Sequence, residues 1–526
     1  MNSTTGQALY GSPSTATLED RSYLDNPRTY GGSMTVLRAR SNALTEKGTT
    51  QEIMTNSYPG AEPYVTEDGQ LMAFLHDYES DELDETRASY VEGLIIENGG
   101  TNIKPFPEPE TTGAQAEGNV EQSTGGDSQL RLAGDSSNAV AVWSRVTETL
   151  EKEPGSAVTS DEQMLMMNST EIFASVMDDG KWKTTRLTTN SSADMAPVAA
   201  TNGQKALVAW RAVAAQNSAQ LTTFDSYDTI QYKIYDYSEN SWSGPYTLYN
   251  GTSGAVKGIE AQMTDSGKMA VAYTIEKGSQ ESTTQVLAED DGTTSITSNL
   301  QTVFTMIGLD ANNQYVVTKN VQVTDDDDVN ENPQLTAVTF PNENEESFLL
   351  GWYSVHDEDG VQKNDIRLAA FTSEGLLRDD FVDSLSVVSS QTAGNITSNF
   401  RFSKGAEQLS DLSILWTQPA LEVNTTETQD DTQAEGAQIT FDDVDHDVLM
   451  GVRFRVEGSE FAGLTAPIQL TEMGASQTIE SFDGWVQDNK SLKAVTLSTQ
   501  YGVKGSDGLT YTLEKVPGVN QDGTAS

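Results

Sequence analysis

The sequence predicts an all-β chain folded as a single seven-bladed β-propeller of four-stranded antiparallel blades, and three observations carry that expectation. One hairpin phrase recurs at spacings of 63 to 81 residues. A second hairpin phrase alternates with it, and an aromatic residue holds one column in nearly every copy of the first. A period of this length belongs to repeat architectures, in which each unit buries its apolar surface only against the next.

The first phrase is typified by "APVAATNGQKALVAWRAV", Ala196 to Val213, where Asn202-Gly203 separates two short runs rich in β-formers and alanine. That is the pattern of two antiparallel strands around a tight turn. Its relatives are "EPYVTEDGQLMAFLHDY", "LRLAGDSSNAVAVWSRV", "IEAQMTDSGKMAVAYTIE", "FPNENEESFLLGWYSVH", "KGAEQLSDLSILWTQP" and "GWVQDNKSLKAVTLSTQ". Aligned, they place Phe74, Trp143, Trp210, Tyr273, Trp352, Trp416 and Leu497 in one column. The second phrase, typified by "IQYKIYDYSENSWSGPYTLY", has its own column of Leu44, Ile103, Trp182, Trp242, Tyr315, Leu377 and Phe461.

Two hairpins make a four-stranded sheet. Such a sheet cannot bury both faces alone, so blades stack around an axis with the aromatic column packed between neighbours. The series opens with a hairpin of the second type and ends with one of the first. The N-terminal hairpin is therefore expected to complete the blade begun near Leu497, which covers edges that would otherwise be free. "LTYTLEKV", Leu509 to Val516, is left over as an extra edge strand or part of a further blade, so eight blades are the alternative. The expected division is a polar arm or linker over 1–32, the propeller over 33–517 and a C-terminal linker over 518–526.

The phrases "P-V-A-x-x-x-G-x-x-A-x-V-A-W" and "I-x-x-x-x-Y-x-x-x-x-x-W-x-x-P-x-x-L" resemble the blade repeats of secreted and surface-attached bacterial β-propellers, loosely termed sialidase-like. The resemblance spans roughly residues 33 to 500 at the level of the repeat. It implies an architecture and no single activity, because propellers host many unrelated functions. It also implies that Trp210 packs blades and is no site residue.

Sialidase signatures do not follow. The Asp-box S-x-D-x-G-x-x-W is approached only by "SVMDDGKW", where Asp178 and Gly180 fall one residue late. The three arginines that clamp a substrate carboxylate have no recognisable counterparts, and lysine does not reproduce a bidentate guanidinium. No G-x-S-x-G, H-E-x-x-H or phosphate loop occurs, and only three histidines are present. Carboxylate pairs for glycoside hydrolysis are too easily formed by chance among 79 acidic residues to be informative.

Charge narrows the partners further. With 31 basic and 79 acidic residues the net charge is −48, which repels phosphate backbones and anionic membranes alike. No apolar run is long enough to cross a bilayer as a helix, so no membrane insertion is expected within this segment. The chain contains no cysteine, which removes thiol chemistry and disulfides. An exported protein without disulfides fits a Gram-positive surface better than an animal secretory pathway. The N-terminus lacks a signal-peptide pattern. The expectation is a fragment of an extracellular or cell-surface protein, working as a monomeric module.

His76, His356 and His446 are each followed by Asp, in "LHDYESDELDE", "VHDEDGVQKND" and "TFDDVDHDVLM". All three are expected in connections between the two hairpins of a blade, on the face shared with blade-to-blade loops such as "TDDDDVNENP". Oxygen-rich clusters of this kind suit calcium. The candidate ligands are Asp325, Asp327, Asp357, Asp359, Asp365 and Asp445; no cofactor is otherwise required. The plainer alternative is that these runs are solvated loop charge.

The hairpin-to-hairpin connections also carry long, mutually dissimilar inserts, such as "RVTETLEKEPGSAVTSDEQMLMMNST" and "PALEVNTTETQDDTQAEGAQITFDDVDHD". Variable loops on a rigid repeat scaffold are where such folds place binding function. The favoured expectation is a non-catalytic ligand-binding or adhesion module for a glycan or a host or surface protein. A secreted carbohydrate-active enzyme (glycoside hydrolase or lyase) is the alternative, and a structural spacer the second. The repeat reading predicts a far-UV circular dichroism spectrum of β structure with almost no helix. Deleting residues 1–56 should lower the melting temperature sharply, whereas deleting 1–25 should leave it nearly unchanged. Equal melting of the two truncations would contradict closure by the N-terminal hairpin.

Overall fold

The computed structural model describes residues 32–39, 49–55, 62–65, 70–78, 88–97, 100–105, 127–134, 138–148, 159–178, 181–214, 227–251, 254–277, 286–288, 294–296, 300–325, 328–358, 361–378, 381, 386–389, 398–419, 447–458, 460–471, 477–486, 491–500, 503–504 and 510–511. They are almost entirely β. The first hairpin is β1 (Gly32–Ala39) with β2 (Thr49–Thr55). An antiparallel meander follows, of β3 (Glu62–Val65), β4 (Gln70–Tyr78), β5 (Ala88–Glu97) and β6 (Gly100–Pro105). The same order recurs in β7 (Asp127–Gly134), β8 (Ala139–Val146), β9 (Thr170–Asp178) and β10 (Lys181–Arg186), with a nine-residue helix α1 (Ser160–Asn168) between β8 and β9.

It recurs again in β11 (Ala193–Thr201), β12 (Lys205–Ala214), β13 (Tyr227–Asp236) and β14 (Ser241–Tyr249). β15 (Gly254–Met263) and β16 (Met269–Lys277) are followed by a small hairpin, β17 (Val286–Ala288) with β18 (Thr294–Ile296), before β19 (Leu300–Leu309) and β20 (Tyr315–Gln322) complete the four. Next come β21 (Val329–Thr339), β22 (Glu346–Glu358), β23 (Val361–Phe371) and β24 (Ser386–Ser389). One parallel pair, Leu300 with Val329, joins these last two meanders. β25 (Phe400–Phe402), β26 (Ser413–Pro419), β27 (Asp447–Glu457) and β28 (Glu460–Leu464) form another, with β29 (Ile468–Gln469) also on β27. β30 (Gln477–Val486) and β31 (Leu492–Gln500) then meet the chain's beginning. β1 pairs with β31 from Gly32 opposite Thr499 to Ala39 opposite Leu492, giving the sheet order β2-β1-β31-β30. Residues from the leftover segment pair locally, β32 (Val503–Lys504) with β33 (Thr510–Tyr511).

The turn that typifies the first phrase forms at Asn202-Gly203. Gly203 takes φ +77°, open to glycine without strain. The Asn202 side chain holds the turn by accepting from the Gln204 and Lys205 amides.

Consecutive residues of β12 point into different seams. Val208 and Trp210 join Val140, Val142 and Ile172 of the preceding sheet, while Leu207 and Ala209 join Val256, Val271 and Tyr273 of the following one. That is why Ala206 to Trp210 is an unbroken buried apolar run and does not alternate with polar residues. The aromatic column obeys one rule in every sheet where its side chain is described. Trp143 packs with Tyr64, Trp210 with Val142, Tyr273 with Leu207, Trp352 with Phe304 and Trp416 with Leu349, in each case toward the sheet before it.

Polar latches cross the same seams. Five first strands carry a β-bulge, at Ser128/Arg131, Met195/Val198, Val256/Gly258, Glu331/Gln334 and Ile479/Ser481. Each bulge adds twist and turns backbone groups toward the neighbour. Gln129 Oε1 accepts from the Ala196 amide at 2.7 Å, and Asn332 Nδ2 donates to the Ser398 carbonyl. Asp228 Oδ2 accepts from the Val256 amide at 2.9 Å, and Asp483 Oδ2 from the Val65 amide at 2.7 Å. Asp483 is also ion-paired with Lys404, whose ammonium lies 2.9 Å from the centroid of the Tyr64 ring. One side chain therefore ties β25–β29, β30 and β3 together.

Truncating Trp210 to Ala empties a fully buried site between two sheets and should lower unfolding free energy by about 3–5 kcal/mol in urea titration. Trp210→Phe should cost less. A loss within experimental error for Trp210→Ala would show that the column does not hold the seam.

Candidate functional site

Four long inserts leave from the connection between the second and third strands of a meander: between β8 and β9, between β12 and β13, between β16 and β19, and between β26 and β27; the long stretch 106–126 instead joins two meanders, from β6 to β7. The β22–β23 connection carries no such insert. Those strands stay in register to Glu358 opposite Val361, so "DEDGVQKND" is a hairpin and no wrapped loop. Asp357 is opposite Gln362 and Asp365 is opposite Ser354, three register steps apart, or roughly 10 Å along the strand.

The sequence-derived candidates are thus distributed as follows. Asp365 is buried and lies 3.7 Å, carboxylate to Nε2, from His356. Asp325 is exposed after β20 and accepts from Gln322 Nε2 at 3.4 Å. Asp357 is in β22, and Asp327, Asp359 and Asp445 lie outside the described residues, as does His446. His76 falls within β4, opposite Tyr90. His76 and His356 are in strands and not in loops because pairing continues past the aromatic column in both hairpins. The structure therefore brings Asp365 and His356 together. Among the described residues no three acidic or histidine side chains converge in a way that could hold a metal ion.

At the insert-bearing ends the first and third strands contribute buried acids that the sequence reading did not single out. Asp127 takes a bidentate bond from Arg145, at 2.5 and 3.1 Å, with the guanidinium stacked 4.5 Å from the Phe173 ring. Glu171 pairs with Arg186 at 3.0 Å, and Asp228 with Arg211 at 2.7 Å. Arg367 pairs with Asp328 at 3.1 Å. These four guanidiniums are engaged by the protein's own carboxylates, the opposite of a cluster presented to an anionic ligand.

Asp194 differs from them. It is fully buried, accepts from Trp210 Nε1 at 3.2 Å and from Asn190 Nδ2 at 2.8 Å, and has no cation against it. Burial pushes its carboxyl up to about 6, with the nearby Glu171 charge adding to the rise and the Thr188, Asn190 and Trp210 hydrogen bonds opposing it. Asn330 plays the matching part for Trp352, accepting from its Nε1 at 2.9 Å. A signal for these acids was present: Asp127 and Asp194 each stand sixteen residues ahead of their column Trp. Being fully buried and bonded to a blade-packing indole, Asp194 is a structural acid and cannot touch a substrate.

The helix in the β8–β9 insert covers this region. Thr159 caps it, accepting from the Glu162 amide while Glu162 accepts from the Thr159 amide. Met164 and Met167 pack on Ala193 and Val213 of the next sheet, leaving Leu165 exposed. An insert of one sheet is thus built into the surface of its neighbour.

The raised carboxyl of Asp194 fixes the sign of its linkage. The folded protein holds this proton more tightly than the unfolded chain, so stability from this group is present below about 4 and is lost as pH rises to about 6. Carboxyl NMR should show Asp194 titrating near 6, and Asp194→Asn should become more stable relative to the parent between pH 4 and 7. A midpoint near 4 would refute the assignment.

No protein-family model matches this sequence, and no curated protein matches it. Among solved structures, Trypanosoma rangeli sialidase in complex with 2,3-difluorosialic acid matches with a TM-score of 0.36 at 10% identity, over 84% of this chain. The chain spans 59% of that enzyme's length. A protein of unknown function from Dyadobacter fermentans matches with a TM-score of 0.34 at 10% identity, over 89% of this chain and 99% of its own. A subtype N11 neuraminidase-like protein from a flat-faced bat virus matches with a TM-score of 0.28 at 9% identity, over 65% of this chain and 96% of its own.

Proposed function

We propose that the chain is a seven-bladed propeller serving as a non-catalytic binding or adhesion module of a bacterial secreted or surface protein, engaging a glycan or protein ligand through its inserts. One observation carries this reading: four long inserts leave between second and third strands, so a ring of such sheets displays those four together on one face. Support for the ring comes from the seams. Each sheet with both faces described buries one against the sheet before it and the other against the sheet after it, and the chain's two ends share the β2-β1-β31-β30 sheet. Engagement of the arginines by internal carboxylates supports binding over hydrolysis of an anionic sugar. The module acts as a monomer, and calcium bound by Asp325, Asp327, Asp357, Asp359, Asp365 and Asp445 would order the acidic connections on that face.

A glycan and protein binding screen run beside a hydrolysis assay on the same glycans tests the function. Saturable binding without turnover, lost when residues 419–446 are shortened, is the expected result. Turnover abolished by one carboxylate substitution would replace it with an enzyme, and binding to nothing by an intact ring with a spacer. For the cation, millimolar calcium should raise the melting temperature and EDTA reverse it, and the Asp357→Asn and Asp359→Asn pair should remove part of the shift. A melting temperature indifferent to both reagents would eliminate calcium.

A further inference from the structure

The seam between β15-β16-β19-β20 and β21–β24 changes character along its length. In its middle Phe304, Phe348, Trp352 and Phe371 fill the space, with Phe304 and Phe371 stacked at 3.9 Å. Toward the insert-bearing end the same strand faces carry short polar side chains. Thr274 follows Ala270 and Ala272 on one face of β16, and Thr302 precedes Phe304 on the same face of β19. Thr274 and Thr302 are register partners. Opposite them, Ser354 and His356 continue the Trp352 face of β22, with Asp365 beside Ser354 on β23. A Cβ placed on Gly258 would lie 3.0 Å from both Thr274 Oγ1 and Pro333 Cδ, which puts the Thr274 hydroxyl against the bulge of β21.

Thr274, Thr302 and Ser354 are fully buried, yet among the described residues none of their hydroxyls has a hydrogen-bond partner, and neither does the buried Nδ1 of His356. A buried polar atom left without a partner keeps its full desolvation penalty, so four such atoms concentrated in one seam require an occupant. Three short side chains facing one another cannot span the roughly 10 Å between packed sheets as the aromatic rings do. We propose that this end of the seam is an internal polar pocket that binds a small cluster of ordered water molecules, held by Thr274, Thr302, Ser354 and His356. The chemistry favours water. The three hydroxyls both donate and accept hydrogen bonds, and so does water. Of the charged neighbours, Glu276 pairs with Lys257 at 3.1 Å and Arg367 with Asp328 at 3.1 Å, while Asp365 stands 3.7 Å from His356 Nε2. A bare cation would find Asp365 as its one adjacent acid.

Exchanging a hydroxyl for a methyl group (Thr302→Val) or deleting it (Ser354→Ala) gives the two cases opposite signs. In a hydrated pocket Thr302→Val and Ser354→Ala each remove a partner from bound water and should lower the melting temperature by a few degrees. In a dry seam they relieve an orphaned hydroxyl, and a raised melting temperature would overturn the proposal. A high-resolution crystal structure of the unaltered chain supplies a second test that needs no variant to fold. Density peaks about 2.7–3.0 Å from Thr274 Oγ1, Thr302 Oγ1, Ser354 Oγ and His356 Nδ1 support the water cluster. An empty seam overturns it. A peak with oxygen ligands at about 2.3–2.6 Å and an anomalous calcium signal would overturn it in favour of a cation.

Discussion

A four-stranded sheet with apolar residues on both faces cannot exist alone in water, and the structure depends on this constraint. In β12 the buried run Ala206 to Trp210 sends alternate side chains to two different neighbours. Every sheet so written needs two partners, one for each face. The directional packing of the column, always toward the preceding sheet, follows from the same pattern. Placing the large ring on one face and Ala or Val on the other lets successive sheets nest large against small at interior density.

Stacking of apolar faces has no preferred register, and the polar latches supply one. The first-strand bulges turn side chains and amides out of the ladder, so that Gln129 reaches the Ala196 amide and Asp228 the Val256 amide. The latches also account for where the scarce cations go. Against 79 acidic residues the chain has 31 basic ones, and Arg145, Arg186, Arg211 and Lys404 are committed to acids that would otherwise be buried unpaired. The acidic excess is left to the surface and connections, where solvent and salt screen it.

Asp194 shows what happens where a latch lacks a cation. Its carboxyl is held by neutral donors, the Trp210 indole, the Asn190 amide and the Thr188 hydroxyl, and burial raises its affinity for a proton. The position is tolerated because the neutral form still accepts from Trp210. Seams therefore differ in their polar content although they share one apolar plan. One is charged and cation-stapled, another carries a protonatable acid, and the seam at Thr274 and Ser354 carries orphaned hydroxyls.

The amino-acid sequence by itself determined the alternation of two hairpin phrases, the turn at Asn202-Gly203 and the aromatic column, because strand period, turn chemistry and repeat length are local properties. It also determined that four long inserts share one position, between the second and third strands of their meanders. Only the tertiary structure decided which distant residues complete a seam. Val65 and Asp483 stand 418 positions apart and meet through one hydrogen bond, a pairing that no local pattern encodes. The separation of Asp357 from Asp365 by the β22–β23 register was equally hidden, since "DEDGVQKND" reads alike as a loop or a hairpin until the strands are paired. The raised proton affinity of Asp194 belongs to the same class, because it arises from burial, which is a property of the assembled sheets and not of the local sequence.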